Sequence, residues 1–253
     1  MTPDALARYA RHLVLPEIGG AGQQRLMAAR LLVVGAGGLG SAALLYLAAA
    51  GVGTLGIVDD DTVTLSNLQR QVIHATDGVG SAKVASAAEA IGRLNPLVAV
   101  EPHPLRLDAG AAARLVPRYD LVLDGSDSFA TRSLVNAACV AAGRPLVSAA
   151  MSRWEGQLAV FHPAAGGPCY ACIFPEAPDP ALVPPCAAAG VVGALPGVMG
   201  SMMALEAVKL IARAGTPLIG AMLVYDGLHA DMRRIRLGPR PGCPVCGGGQ
   251  AAD

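Results

Sequence analysis

An uncharged, largely apolar stretch from Leu31 to Val58 limits what this chain can fold into more than any other feature. Its length would be enough to cross a bilayer as a single helix. Glycines divide it into short pieces, however, and continuous apolar runs are also typical of strands buried in a parallel sheet. We therefore predict a strand, a turn, a helix and a second strand here, and no membrane span. The dividing glycines are Gly35, Gly37, Gly38, Gly40, Gly51, Gly53 and Gly56.

The alternation of strands and helices continues to about Trp154, which implies a parallel sheet with helices on both faces. Strands are predicted at 31–34, at 54–58, from 98, at 121–123 and at 145–149, with helices at 41–50, 83–94 and 131–142. Further on, strands at 157–161, 223–226 and 233–237, a helix at 199–212 and a loop over 166–185 predict an antiparallel continuation.

These elements predict an α/β, Rossmann-like fold whose mostly parallel sheet is continued by antiparallel strands. We expect a single domain over residues 1–253. It would comprise a helical lead-in at 1–30, a nucleotide-binding half at 31–153 and a second half at 154–253.

Composition excludes several classes of protein. Of the 253 residues, 53% are hydrophobic and 15% are charged, and the formal net charge is zero, so no basic surface for nucleic acid is expected. The N-terminus lacks a basic segment followed by an apolar run, so we predict no secretory signal and a cytoplasmic location. In such a chain, cysteines are more often metal ligands or reactive groups than disulfide partners.

Gly35, Gly37 and Gly40 form a GxGxxG motif that follows a predicted strand and opens a predicted helix. Glycines there let the backbone approach phosphates, whose negative charge the helix N-terminus favours. Asp59 ends the next strand, a common position for a carboxylate that binds ribose hydroxyls. The motif therefore predicts an adenine nucleotide, NAD or ATP, although a turn that only packs the helix against the strand is the structural alternative.

Polar residues after Asp59 favour ATP over NAD. Asn67, Arg70, Gln71 and Lys83 supply two cations and two amides, which suit a triphosphate and its leaving pyrophosphate. A solvated polar loop is the simpler interpretation of any one of these residues. Their order behind the glycine motif makes that interpretation less attractive for the set.

Asp127 follows the fourth predicted strand, at the sheet edge where ligands bind in open α/β folds. A carboxylate there can hold Mg²⁺, which usually takes one or two protein carboxylates together with phosphate oxygens. Asp124 is the competing candidate, and either aspartate could serve only as a turn residue.

Two CxxC pairs provide four thiolates, the donor set of a closed tetrahedral zinc site. They are Cys169 with Cys172, and Cys243 with Cys246. Each pair lies in a turn rich in proline and glycine, and no fifth ligand is nearby, so we predict a structural role. A redox CxxC is the alternative, although neither pair is predicted to open a helix after a strand, as that chemistry prefers.

The two remaining cysteines differ in their surroundings. Cys139 lies in a predicted helix and is most simply a small core residue. Cys186 follows two prolines in a predicted loop and could be a nucleophile, but no neighbouring His or Lys in the sequence would lower the pKa of its thiol. A catalytic role and an incidental one both stay open for Cys186.

Taken together, these segments resemble the adenylyltransferases that activate ubiquitin-like sulfur-carrier proteins in molybdopterin and thiamine biosynthesis, which are related to ubiquitin-activating enzymes. The likeness runs from Arg8-Tyr9-Ala10-Arg11 to the last cysteine pair. Its most specific segments are Gly35 to Gly40, Asp59-x-x-x-Val63-x-x-Ser66-Asn67-Leu68-x-Arg70-Gln71, Lys83, Asp124-x-x-Asp127, Glu155-Gly156-Gln157 and the two CxxC pairs.

The resemblance implies that Asp59 binds the ATP ribose, that Gly38 approaches the phosphates and that Asp127 holds Mg²⁺. It implies phosphate contacts from Asn67, Arg70, Gln71 and Lys83, and zinc ligation by Cys169, Cys172, Cys243 and Cys246. Arg11 resembles an arginine that family members insert into the neighbouring subunit's site, which implies a homodimer. Cys186 lies near the cysteine that some members link covalently to the carrier.

The implied reaction is ATP-dependent adenylation of the C-terminal glycine of a small carrier ending in Gly-Gly, with Arg11, Arg70, Lys83 and Asp127 as catalytic residues. Residues 154–253 would bind the carrier and zinc, and a sulfur donor such as a cysteine desulfurase or sulfurtransferase would act next. Two positions depart from the family pattern, because Ser128 replaces an Asn and His12 replaces a Gln.

Three other functions stay open from the sequence. One is an NAD-dependent oxidoreductase that uses the same glycine motif, against which stand Arg70, Lys83 and the lack of a separate substrate domain. Another is a non-catalytic, zinc-stabilised scaffold that binds a carrier tail. The third is a related adenylating enzyme that acts on a peptide or cyclises an RNA base.

Overall fold

A computed structural model describes residues 1–177 and 190–247 of the chain. Its strands are β1 (Arg30–Val34), β2 (Thr54–Val58), β3 (Ala99–His103), β4 (Leu121–Asp124), β5 (Leu146–Ser152), β6 (Glu155–Phe161), β7 (Ala221–Asp226) and β8 (Asp231–Arg236). Its helices are α1 (Pro3–Arg8), α2 (Ala10–Leu13), α3 (Gly19–Ala28), α4 (Gly38–Ala50), α5 (Lys83–Leu94), α6 (Ala109–Leu115), α7 (Phe129–Ala142), α8 (Tyr170–Ile173) and α9 (Ala194–Ala212).

The strands form one eight-stranded sheet in the order β3-β2-β1-β4-β5-β6-β7-β8. Strands β1 to β5 pair in parallel, whereas β6, β7 and β8 continue the sheet in antiparallel pairs. The predicted fold class is therefore confirmed. Because β1 lies between β2 and β4, the strand order reverses there, and a crevice at such a reversal is where open α/β sheets bind ligands.

The apolar stretch 31–58 becomes β1, α4 and β2, as its glycines predicted. Helix α4 packs between the sheet and α9, and Leu44 and Leu47 on it are fully buried. By length and composition α9 could itself cross a bilayer, and 44% of its most apolar part is buried against the rest of the fold. The buried side chains of α4 and α9 together form the centre of the larger hydrophobic core.

Several boundaries differ from the sequence prediction for local physical reasons. Helix α4 begins at Gly38 and not at residue 41, because the glycine loop itself forms its first turn. Helix α9 begins at Ala194, with Pro196 in the first turn, where its missing N–H costs no hydrogen bond. Strand β3 accommodates Pro102 because it is an edge strand.

Two short helices were not predicted. Helix α6 lies in an alanine-rich segment without marked periodicity, and Asp108 caps it by accepting a hydrogen bond from Ala111 N at 2.7 Å. Helix α8 lies inside the predicted loop 166–185, and Cys169 is its N-cap residue. The first CxxC pair therefore begins a single helical turn, but that turn does not directly follow a strand, so the arrangement expected of a redox CxxC is not formed.

Candidate functional site: a nucleotide cleft and a thiolate cluster

The glycine loop crosses the carboxyl end of β1 in a conformation that other residues rarely adopt. Gly35 has φ of +94°, in the region that favours glycine. A Cβ on Gly40 would lie 1.9 Å from the carbonyl oxygen of Gly35, so the loop closes only because that position carries no side chain. The packing function that was considered as an alternative is therefore real, but Gly37 and Gly38 of the same loop also line the cleft above it.

Asp59, at the end of β2, braces the loop from one side. Its Oδ2 accepts a hydrogen bond from Ala36 N at 2.8 Å, and its Oδ1 accepts one from Asp61 N at 2.9 Å. The carboxylate therefore lies beside the loop and on the cleft wall, the position predicted for a ribose-binding residue.

His74 braces the same residue, Ala36, through its carbonyl group, and sequence reasoning missed it. Its Nε2 lies 3.0 Å from the carbonyl oxygen of Ala36, and its Nδ1 lies 2.9 Å from Ser86 Oγ. Because a carbonyl only accepts, Nε2 carries the proton and Nδ1 accepts from the Ser86 hydroxyl. Burial, with a smaller contribution from the charge of Lys83, lowers the pKa of His74. A lone histidine after Ile73 has no sequence signature that separates it from a core residue.

Lys83 is the first residue of α5, and its side chain is only 7% exposed. Its Nζ donates to Asp61 Oδ2 at 2.7 Å, and its backbone N–H donates to the Asp61 carbonyl at 3.0 Å. Asp61 also donates its own N–H to Asp59, so one short segment joins the carboxylate at the glycine loop to the buried ammonium group. Asp61 was not singled out from the sequence, because an Asp-Asp-Asp run reads as an exposed turn.

The loop after β2 brings the remaining predicted polar residues to the cleft. Asn67 ends a single 3₁₀ turn, and its carbonyl accepts hydrogen bonds from the N–H groups of Arg70 and Gln71. The guanidinium of Arg70 donates to the carbonyl of Ser66 at 3.1 Å, which leaves further donors of the same fork for a ligand. Gln71 is buried, and its Oε1 has no hydrogen-bond partner within the described residues.

The loop after β4 separates the two candidate aspartates. Asp124 is fully buried, its Oδ1 accepts from Ser126 N at 2.9 Å, and burial raises the pKa of its carboxyl group. Asp127 is exposed and lines the cleft. Asp124 is therefore the residue that shapes the loop, and Asp127 is the carboxylate available to a ligand or cation.

The cleft holds about 460 Å³, a volume in the usual range for small-molecule sites. Most of the predicted nucleotide residues line it, namely Gly35, Gly37, Gly38, Asp59, Arg70, Gln71, Lys83 and Asp127. Its wall also contains Ser128, which was noted as a departure from the family pattern, and residues that the sequence did not mark, namely Asp60, Asp61, Leu105, Arg106, Leu107, Ser126, Thr131, Met151 and Val191. Among the described residues, Gly40, Asn67 and Arg11 do not line the cleft. Arg11 is an exposed residue of α2, and Cys186 lies outside the described residues.

The four paired cysteines meet in a second cluster, although Cys169 and Cys243 are 74 positions apart in the chain. The Sγ atom of Cys169 lies 3.8 Å from that of Cys172 and 3.7 Å from that of Cys243. Cys172 and Cys246 are 3.5 Å apart, and all four sulfurs lie within 4.8 Å of one another. A tetrahedron with zinc–sulfur bonds of about 2.3 Å has edges of about 3.8 Å, so the four thiols can hold Zn²⁺.

The surroundings of these thiols are unequal. Burial raises the pKa of Cys169 to about 12 and also raises that of Cys172. Burial acts in the same direction on Cys243, but the backbone N–H groups of Cys246 and Val245 and the thiols of Cys169 and Cys172 together outweigh it and lower the pKa of that thiol to about 6. Cys139 lies apart in α7, is buried as predicted, and its pKa is raised by burial.

Comparison with known proteins assigns the chain to a family. Residues 9–245 match the ThiF family. This chain belongs to the ThiF family. The match covers the glycine loop, the cleft and three of the four paired cysteines, and it ends one residue before Cys246, so the resemblance drawn from the sequence motifs is confirmed.

Curated relatives of this ThiF family member are similar along nearly its whole length. The sulfur carrier protein adenylyltransferase of Thermus thermophilus is 50% identical, over 97% of this chain and 92% of that protein. The SAMP-activating enzyme E1 of Haloferax volcanii is 49% identical, over 96% and 90%. Mus musculus adenylyltransferase and sulfurtransferase MOCS3 is 52% identical over 98% of this chain, which spans about half, 54%, of that protein.

Solved structures with lower identity share the fold of this ThiF family member. E. coli MccB in complex with MccA has a TM-score of 0.83 at 22% identity, over 95% of this chain and 74% of that one. PaaA has a TM-score of 0.80 at 21% identity, over 94% and 75%. At these identities the likeness shows the fold alone.

Proposed function

We propose that this chain is an ATP-dependent adenylyltransferase that activates the C-terminal glycine of a ubiquitin-like sulfur-carrier protein. One observation carries the proposal, namely that a single cleft joins the glycine loop and Asp59 to Arg70, Lys83 and Asp127. An NAD-dependent oxidoreductase needs no such pair of cations beside the loop. Relatives named as carrier adenylyltransferases, at about half identity, support the same conclusion.

In the proposed reaction a carboxylate oxygen of the carrier's last glycine attacks the α-phosphorus of ATP. A new O–P bond forms, the bond between the α-phosphorus and its bridging oxygen breaks, and pyrophosphate leaves with that electron pair. Carboxylates are poor acyl donors, and the mixed anhydride that results has a good leaving group. The protein needs no covalent step of its own for this reaction, because holding the reactants in line and neutralising phosphate charge are sufficient.

The cleft residues have separate roles in this proposal. Asp59 binds the ribose hydroxyls, while the backbone of Gly37 and Gly38 approaches the phosphates at the N-terminus of α4. Arg70 and Lys83 stabilise the charge that builds up on the phosphates as pyrophosphate leaves. Asn67 shapes the loop through its carbonyl, and the amide of Gln71 provides a further polar contact.

Two metals belong to the proposal in different ways. Asp127 would hold Mg²⁺ together with phosphate oxygens, and the open position of its carboxylate at the cleft suits an ion that keeps several other ligands. Such an ion, when bound, supplies further neutralisation of phosphate charge. The four cysteines would hold zinc in a structural role that fastens the segment around Cys243 to the body of the domain.

We further propose a cytoplasmic homodimer in which Arg11 completes the site of the neighbouring subunit. Within one subunit Arg11 is exposed and does not line the described cleft, which agrees with an action across an interface. Cys186 stays a predicted residue of the later sulfur-transfer step, with a sulfur donor as second partner. The choice between molybdopterin, thiamine and other pathways depends on which carrier binds.

Carrier-dependent exchange of labelled pyrophosphate into ATP tests the proposal. The full chain with Mg²⁺ and candidate carriers ending in Gly-Gly should catalyse exchange, and a carrier lacking its last glycine should not support it. Calorimetric titration should show binding of ATP and no comparable binding of NAD. Carrier binding without exchange would instead indicate a scaffold, and NAD binding without ATP binding would overturn the assignment of the cleft.

A further inference from the structure

Asn136, which is not one of the four cluster cysteines, connects helix α7 to the first cysteine pair. The residue is 1% exposed, and its Oδ1 accepts a hydrogen bond from the backbone N–H of Tyr170 at 2.8 Å. Tyr170 follows Cys169 directly and is the first residue of α8, so this bond holds the turn that carries two of the four cysteines. Val140, one turn further along α7, also packs against the cysteine cluster.

The orientation of the Asn136 side chain follows from this bond. A backbone N–H can only donate, so the amide atom that faces Tyr170 must be the oxygen, and the other end must be the NH₂ group. That group is buried, and its nitrogen makes no hydrogen bond of standard geometry with the described residues. Because Cys169 directly precedes Tyr170, the amide that holds the Tyr170 N–H lies beside the residue that carries the first thiol.

We propose that Asn136 is a positioning residue of the metal site, which donates an N–H···S hydrogen bond to Cys169 when that cysteine is a zinc-bound thiolate. A buried amide donor is rarely left without an acceptor in a folded protein. A thiolate accepts a hydrogen bond more strongly than a thiol, because the bond is charge-assisted. Among the described residues near this nitrogen, the Cys169 sulfur is the acceptor that metal binding would create.

The inference concerns metal retention and is independent of adenylation. Partners of metal ligands commonly change metal affinity by about 10–100-fold when they are removed. Asn136 would have two functions, which substitutions can separate. Asn136→Leu removes both the acceptor for Tyr170 and the N–H donor, whereas Asn136→Asp keeps an acceptor and removes the donor. Cys139→Ala, a buried change on the same helix away from the cluster, is the control.

The experiment measures zinc affinity of the purified full chain by competition with a chromogenic chelator, and absorption after replacement of zinc by Co²⁺. We expect both Asn136 variants to bind zinc about 10–100-fold more weakly, and the control to match the wild type within about 2-fold. In the uncharged Leu variant, the thiolate-to-cobalt charge-transfer band should move to lower energy, because a thiolate that has lost its hydrogen bond releases charge more easily.

Three results would overturn the inference. The first is wild-type zinc affinity in the Asp variant together with lost zinc affinity in the Leu variant, because the hydrogen bond to Tyr170 would then explain the whole effect. The second is an unshifted cobalt band in a folded Leu variant, and the third is absence of tight zinc binding by the wild type. If the Leu variant fails to fold, the zinc affinity of the Asp variant alone decides whether the inference holds. Pyrophosphate exchange is measured separately, so failure of this inference leaves the proposed function untouched.

Discussion

Lys83 and Asp61 are joined twice, by an ion pair of 2.7 Å between Nζ and Oδ2 and by a backbone hydrogen bond of 3.0 Å. The side chain of Asp61 is 68% exposed, so the ion pair itself adds little to folding stability. Its consequence is positional, because it holds a nearly buried ammonium group at the cleft before any nucleotide is bound. A preorganised charge of this kind loses little to rearrangement during the reaction.

Replacement of Lys83 by alanine is therefore expected to slow carrier-dependent pyrophosphate exchange by about 100–1,000-fold, the usual cost of removing one preorganised electrostatic contact. Arg93→Ala, an exposed change on the same helix, should stay within about 2-fold of the wild type. Steady-state exchange rates at saturating carrier check both variants. An active Lys83→Ala enzyme would remove this lysine from the proposed mechanism.

Asp127→Ala is expected to abolish the exchange, because the substitution removes the exposed carboxylate that would hold Mg²⁺ at the phosphates. Asp127→Asn should keep some activity and need more Mg²⁺ to reach it, which a magnesium titration of the exchange rate measures. Asp77→Ala, an exposed aspartate in a turn away from the cleft lining, is the matched control. Exchange at the wild-type rate in the Asp127→Ala protein would contradict its assignment.

Arg11 can be tested by mixing two inactive proteins, Arg11→Ala and Lys83→Ala, under conditions that let subunits exchange. If Arg11 acts across a twofold interface, each mixed dimer has one site with both residues intact. A one-to-one mixture should then recover about a quarter of the wild-type exchange rate, since half of the dimers are mixed. No recovery, despite mixed dimers seen by native mass spectrometry, would mean that Arg11 acts in its own subunit or not at all.

His74 should make folding stability depend on pH. Burial lowers its folded pKa below the ordinary value of 6.5, so the unfolded chain binds the proton more readily. The stability contributed by neutral His74 is therefore present above pH 6.5 and decreases as the pH falls from there through the folded pKa. Denaturant unfolding between about pH 7.5 and pH 5.5 should show this decrease.

The matched comparison for His74 uses two glutamine variants. His74→Gln should flatten the pH dependence, whereas His229→Gln, which changes a side chain that is 72% exposed, should leave it as in the wild type. Half-buried His103 and His162 also have pKa values lowered by partial burial, so part of the slope remains in every variant. A slope unchanged by His74→Gln would show that this histidine does not contribute.

Loss of a single cluster thiol should release zinc and destabilise the fold. We expect Cys243→Ser to lose the metal and to lower Tm by about 10 °C, from the free energy that a tightly bound ligand adds to the native state. Cys139→Ala should retain one zinc per chain. Elemental analysis and thermal unfolding with and without a chelator check the pair, and an unchanged Tm on chelation would argue against a structural zinc.

Much of this molecule could be read from local patterns. Strand 54–58 and helix 83–94 were predicted to the residue, because glycines, an Asn-Pro stop and apolar runs mark their ends. The glycine loop, Asp59 and the two cysteine pairs were recognisable because their chemistry depends on short fixed spacings. Helix α6 escaped prediction because its alanines suit several conformations and its only marker is the cap at Asp108.

Other parts of the site depend on residues that are distant in the chain and meet only after folding. His74 contacts Ala36, and Asn136 contacts Tyr170, across different elements of the fold. No local periodicity in the sequence predicts such pairs. The choice between Asp124, the last residue of β4, and Asp127, three residues later, likewise depended on burial, which the sequence does not reveal.

The sequence by itself determined the fold class, the nucleotide motif and the thiol donor set, since turns, strand periodicity and metal-ligand spacing are properties of neighbouring residues. Only the tertiary structure decided which polar groups converge. It closed the two cysteine pairs into one cluster, placed Lys83 against Asp61 and left Asp127 open at the cleft. Side chains from separate strands and helices meet there because packing of the sheet and its helices brings their ends together at one edge.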